Sequence, residues 1–222
     1  MTFDPALLEL FLAAFVTFFV LIDAPGVAPV FASLTEPGGP AYRRRMAIRA
    51  FFISVFVLFA FAFGGAWLMD KLGITLDAFR AAGGALLFLI ALDMVFEKRT
   101  ERREKRAEQV RADEEEAGQL DDISVFPIAI PMIAGPGSIA TAMLYMSESE
   151  GDWAAKGVVS LAIGINLVIT LVIFLGSGLI VRVLGETIAH MITRILGVVL
   201  SALAFQLMLD GIAGAFGLGP AA

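Results

Sequence analysis

The sequence predicts an all-α membrane protein: six transmembrane helices forming two inverted-topology three-helix repeats, with the first and fourth helices discontinuous. Three observations predict it. Uncharged stretches recur at Ala50–Met69, Ile123–Ser147 and Gly157–Val181, and each reaches the ~20 residues that cross a ~30 Å hydrocarbon core. Lys and Arg gather on one side of the resulting span count. The two halves also match in order, about 111 residues apart. With 59% of residues apolar, 17% charged and a mean hydropathy of +0.86, a soluble chain would have to bury several all-apolar helices, whereas soluble domains carry about a quarter charged residues.

Six spans are expected at about 7–34, 47–70, 75–96, 123–146, 155–182 and 187–210. The first continues well past the length of a signal-peptide core and has no basic residue before it, so it reads as a retained helix. The third and sixth have shorter uncharged cores and span only if Arg80, Asp93, Arg194 and Asp210 lie near the interfaces or face the protein. Thirteen cations, from Arg43 through the run Lys98–Arg111 to Arg182 and Arg194, fall on one side of this arrangement. Only Lys71, Arg80 and Lys156 fall on the other. That bias places both termini outside the cytoplasm. The division is 1–96 for the first repeat, 97–122 for a charged cytoplasmic linker and 123–222 for the second repeat, together one membrane domain. The linker reads as a solvated segment whose basic part, beside the bilayer, meets anionic lipid headgroups.

Composition excludes several functions. The chain has no cysteine and a single histidine, His190, so thiolate chemistry and a histidine metal cage are absent, and neither HExxH nor a P-loop occurs. No metal site, cofactor or enzymatic activity is expected. A net charge of −6 with no extended basic face argues against nucleic acid.

The halves match at Pro25-Gly26 and Pro136-Gly137, at Leu72-Gly73 and Leu184-Gly185, and at Arg80-Ala-Ala-Gly83 and Arg194-Ile-Leu-Gly197. Each half ends in an acid, Asp93 or Asp210. Three spans per half is an odd number, so the second half enters the membrane from the opposite side. Secondary transporters share this architecture and place their site where broken helices meet between the repeats.

The first span of each half carries such a break. Proline removes an N–H and glycine opens unusual backbone conformations, and in lipid the freed groups persist only inside protein or beside water. Around Asp23, Pro25 and Gly26, and again around Gly135, Pro136, Gly137 and Ser138, a restarted helix would offer its positive end to a carboxylate. The plainer reading is a pair of proline kinks that only shape the helices. An intramembrane acid is functional by default. Asp23 fits a substrate ammonium, a coupling proton or a cation, or else it simply caps the restarted helix. Ser54 and Asn166, matched between the second and fifth spans, either line the cavity or bond between helices. His190 reads as an interfacial residue.

The stretches Phe18-Phe-Val-Leu-Ile-Asp-Ala-Pro-Gly-Val-Ala-Pro-Val-Phe31 and Pro127-Ile-Ala-Ile-Pro-Met-Ile-Ala-Gly-Pro-Gly-Ser-Ile-Ala-Thr141, with Ile192-Thr-Arg-Ile-Leu-Gly197 and Asp210-Gly-Ile212, resemble the MarC-related family of integral membrane proteins. Ala24 departs from that family's pattern, which has proline after the aspartate. The resemblance implies six helices and a bacterial-type inner membrane. It also implies small neutral amino acids such as glycine and alanine as substrates, as assigned to an archaeal relative. A zwitterion fits the breaks, with helix N-termini for its carboxylate and Asp23 for its ammonium.

The leading expectation is a secondary transporter of a small zwitterionic solute coupled to H⁺ or Na⁺, its other partner being the lipid bilayer, with room for a homo-oligomer. A passive channel using the same cavity and a non-transporting scaffold acting through 97–122 are the alternatives.

Overall fold

A computed structural model describes residues 4–117 and 120–218, the side chains of 115, 117 and 180–186 excepted. All regular structure among the described residues is helical. Five helices are long and apolar enough to cross a membrane, or six if one bent pair counts as a single span.

Local chemistry sets where each helix starts and stops. α1 (Pro5–Ile22) opens with Asp4 accepting from the Ala6 N–H and proline in the first turn. It ends at Asp23, which takes a left-handed conformation at φ 53°, and α2 (Ala24–Thr35) starts directly after. α3 (Gly39–Leu72) closes on Gly73 at φ 68°, the left-handed cap that glycine adopts without steric cost. α4 (Leu76–Val95) starts on Thr75, whose hydroxyl accepts from Ala78 N–H. α5 (Lys98–Ala117) follows a turn at Glu97.

The segment Ser124–Ile133 winds irregularly. Phe126 and Ile130 are extended because each precedes a proline, whose ring disfavours helical backbone before it. α6 (Pro136–Glu148) restarts after Gly135, and the two pieces are bent by 56°. α7 (Trp153–Leu175) is capped by Asp152, and α8 (Ser177–Ala215) completes the chain.

Three boundaries differ from expectation: the helix of the second span starts at Gly39 rather than near 47, and the other two fall between the fifth and sixth spans. The fifth helix stops at Leu175, and α8 runs as helix through 183–186, where a loop was expected. The interruption sits instead at Gly176. Leu184-Gly185 therefore lies within a helix and is no counterpart of the capping Leu72-Gly73; its side chains, like that of Arg182, lie outside the described residues. The segment read as a solvated linker is mostly the helix α5. Its stripe of Thr100, Arg103, Ala107 and Glu114 is buried, at the three- and four-residue spacing of one helix face. His190, read without a partner, lies 3.7 Å from Glu104 of α5.

α4 and α8 form the closest helix pair. A Cβ on Gly84 would lie 2.8 Å from the Ala204 carbonyl oxygen, and one on Gly197 would lie 3.1 Å from that of Ala91. As one chain advances the other retreats, so these helices run antiparallel, and small residues set their close approach. Gly83, the expected match to Gly197, has nothing within 4 Å of a Cβ position, and Gly84 takes its place in the seam. Elsewhere α1 packs on α7 as α3 packs on Ser124–Ile133, and α2 packs on α8 as α6 packs on α4.

The phenylalanines divide by role. Phe31 and Phe174 stack in the core with ring centroids 4.3 Å apart. Phe52, Phe56, Phe63 and Trp67 face outward and are more than half exposed, a surface suited to hydrocarbon rather than water.

Candidate functional site

The first break begins with a missing hydrogen. In an uninterrupted helix the Leu21 carbonyl would accept from residue 25, but Pro25 has no N–H. That carbonyl is instead taken by Arg99 of α5, whose Nη2 donates to it at 2.6 Å. Two residues on, the Asp23 side chain is fully buried. Arg103 Nη1 donates to its Oδ2 at 2.7 Å, and Thr193 Oγ1 of α8 donates to its Oδ1 at 3.0 Å. Asp23 makes no side-chain cap to α2, so the capping role does not hold: its oxygens are committed to Arg103 and Thr193. Gly26 is the residue that lets α2 pass so close, because a Cβ there would sit 2.4 Å from both Asp23 Oδ2 and Thr193 Oγ1.

The second break supplies a cavity. Gly135, Pro136, Gly137 and Ser138 line a space of about 130 Å³ together with Asp93, Arg99 and Arg102. Gly135 precedes α6 with no side-chain cap, and Pro136 has no N–H. The Gly137 and Ser138 N–H groups therefore form the positive end of α6 at this space. Asp93 is held by Arg102. Arg99 joins the two breaks, touching the Leu21 carbonyl at the first and lining the cavity at the second. Burial pushes its guanidinium below the usual range, to about 9, helped by the like charge of Arg103 and opposed by Asp23. It remains a cation at neutral pH.

The structure thus gathers Asp23, Pro25 and Gly26 around one end of α5, and Gly135, Pro136, Gly137 and Ser138 around the neighbouring cavity. It does not bring Ser54 or Asn166 to that cavity. Asn166 Nδ2 donates to the Phe15 carbonyl of α1 at 3.1 Å and to the Ala162 carbonyl of its own helix at 2.9 Å, a bond between helices. Ser54 is buried on α3, and its hydroxyl has no partner among the described residues. Sequence reading missed Arg99, Arg102, Arg103 and Thr193, and set Asp93 aside as an edge residue. The signal was present in the spacing of 99, 102, 103 and 106, which repeats at three and four residues and puts a cationic stripe on one side of a helix.

Among the described residues no cluster of acids or histidine suited to a metal ion occurs. No solved structure matches the chain. A UPF0056 membrane protein of Methanocaldococcus jannaschii is 38% identical over 94% of this chain and 98% of its own length. The UPF0056 membrane protein YvbG of Bacillus subtilis is 35% identical over 91% of this chain and 93% of its own. The description "MarC family integral membrane protein" matches residues 8–216. Coverage of nearly the whole chain, added to the outward apolar faces and the helical span count, makes this a multi-pass integral membrane protein that belongs to the MarC family.

Proposed function

We propose that the chain is a secondary transporter of a small zwitterionic solute, of the size of glycine or alanine, coupled to H⁺ or Na⁺. One observation carries the reading: the cavity at the second break holds opposite poles within about 130 Å³. The α6 N–H groups and Arg99 suit a carboxylate, and Asp93, on exchanging its Arg102 partner, suits an ammonium. The space of about 130 Å³ is well under the ~300 Å³ at which pockets for drug-sized ligands begin. The chain then moves this solute unchanged instead of transforming it. Asp23, closed by Arg103, is left for the coupling ion, whose arrival would release α5.

Two further features support this reading. Exchange of the halves maps α1 onto Ser124–Ile133, α2 onto α6, α3 onto α7 and α4 onto α8. Under that exchange most helix pairs of the two halves map onto one another, α1–α8, α7–α8 and the contacts of α5 excepted, and the antiparallel Gly84–Ala204 and Gly197–Ala91 contacts exchange as well. This favours two inverted repeats with broken first helices, the architecture that alternating access uses. The excess of cations on one side of the span count favours a bacterial-type inner membrane with both termini outside the cytoplasm.

The test is uptake of radiolabelled glycine and alanine into proteoliposomes under separate H⁺ and Na⁺ gradients. Accumulation above equilibrium is expected for one gradient and is abolished in Asp23→Asn. Mere equilibration of the solute would make the protein a channel. No uptake by a verified folded protein would remove the amino-acid reading.

A further inference from the structure

Beside the zwitterion cavity lies a wider vestibule of about 220 Å³, walled by Arg99, Arg102, Arg103 and Arg106 of α5 and by Pro131 and Met132. Its charges do not cancel. Arg103 sits on Asp23 and Arg102 on Asp93. Arg99 gives its hydrogen bonds to an uncharged carbonyl and to the Met94 sulfur. Arg106 lies over the Phe126 ring, 5.4 Å from its centroid. Two of the four guanidiniums, Arg99 and Arg106, therefore make no ion pair among the described residues. Arg103 adds a second, independent sign. It is only 5% exposed, and its Nη2 is buried with no hydrogen-bond partner among the described residues. A buried donor on a cation that lacks an acceptor is costly; Nη2 is itself closed off from the vestibule that Arg103 lines, so a small rotation of the side chain is what brings it to an acceptor there.

The geometry points to a binding site for a phosphate group in this vestibule, held by Arg99 and Arg106, with Arg103 Nη2 as a third donor once its side chain turns towards the space. Planar guanidiniums that present paired N–H groups are the side chains best matched to a phosphate's oxygens. The volume of about 220 Å³ is room enough for a phosphate group. The group is either free inorganic phosphate or the headgroup phosphate of an anionic lipid, since α5 lies against the membrane helices. This site goes beyond the transport reading: it requires only that α5 be docked, and it stands whether or not an amino acid is carried.

The test is binding, not transport. The full chain is placed in phosphatidylcholine nanodiscs and titrated with inorganic phosphate, with ionic strength held constant by sodium chloride. A saturable rise in Tm is expected. In Arg99→Gln and Arg106→Gln half-saturation weakens at least tenfold, and in Arg44→Gln, an exposed cation elsewhere, it is unchanged. Arg106→Gln breaks no ion pair and keeps the experiment decisive if Arg99→Gln fails to fold. Discs containing phosphatidylglycerol separate the sources. A Tm already raised there, insensitive to added phosphate and dependent on Arg99 and Arg106, assigns the site to a lipid headgroup. The proposal is overturned if neither phosphate nor phosphatidylglycerol shifts Tm, or if the shift survives unchanged in both arginine variants.

Discussion

A carboxylate removed from water is costly unless the protein supplies its partners. Asp23 has two, Arg103 and Thr193, and each comes from a different helix, so a single side chain couples α1–α2, α5 and α8. Removing one half of a buried pair costs more than the pair is worth, because the other charge remains. Arg103→Gln is therefore expected to destabilise the protein by about 3–5 kcal/mol, read as a lowered midpoint of thermal unfolding in detergent. Asp23→Asn combined with Arg103→Gln should recover a large part of that loss. Simple addition of the two single effects would mean that the residues are not coupled. Thr193→Val, which removes one bond to a charged group, should cost less, about 1.5–3 kcal/mol.

Among the elements, the α4–α8 seam and the docked face of α5 show opposite ways of holding a helix. The seam depends on absence: at Gly211 a Cβ would meet the Ala81 backbone nitrogen at 2.4 Å, and backbone cannot rotate out of the way. Gly211→Ala is expected to destabilise by about 1–3 kcal/mol, as overpacking does. Gly64→Ala on α3 meets nothing within 4 Å, so only backbone propensity acts, and it should stabilise by up to ~1 kcal/mol. The two variants add the same methyl group to helices of the same protein. Equal effects in a thermal melt would show that the seam is looser than its distances imply. α5, by contrast, is held by charged groups at Arg99, Arg102 and Arg103. Its attachment should weaken with rising salt at the exposed Arg102–Asp93 pair and persist at the buried Arg103–Asp23 pair.

At the scale of the whole molecule, what was legible in the sequence is what lipid enforces. Apolar length marks the spans, and Pro25, Pro131 and Pro136 mark places where no regular helix can continue. The docking of α5 was hidden because a run of charges reads by composition as solvated. Whether Arg103 is buried depends on Asp23, eighty residues away, a partnership no local pattern encodes. The choice of Gly84 over Gly83 is similar: one residue turns a helix by about 100°, and only the neighbour it meets decides between them. Sidedness remains the largest inference drawn from sequence, and the absence of cysteine makes it directly measurable with single thiols. Under the inverted arrangement Glu36 and Glu104 lie on one side of the membrane, and Lys71 and Glu150 on the other; all four are exposed. Intact cells treated with a membrane-impermeant maleimide should label Lys71→Cys and Glu150→Cys, and should label Glu36→Cys and Glu104→Cys only after permeabilisation. Labelling of Lys71→Cys and Glu104→Cys from the same side would leave an even number of crossings between them. α4 would then not span, and with it would go the odd count per half on which inversion depends.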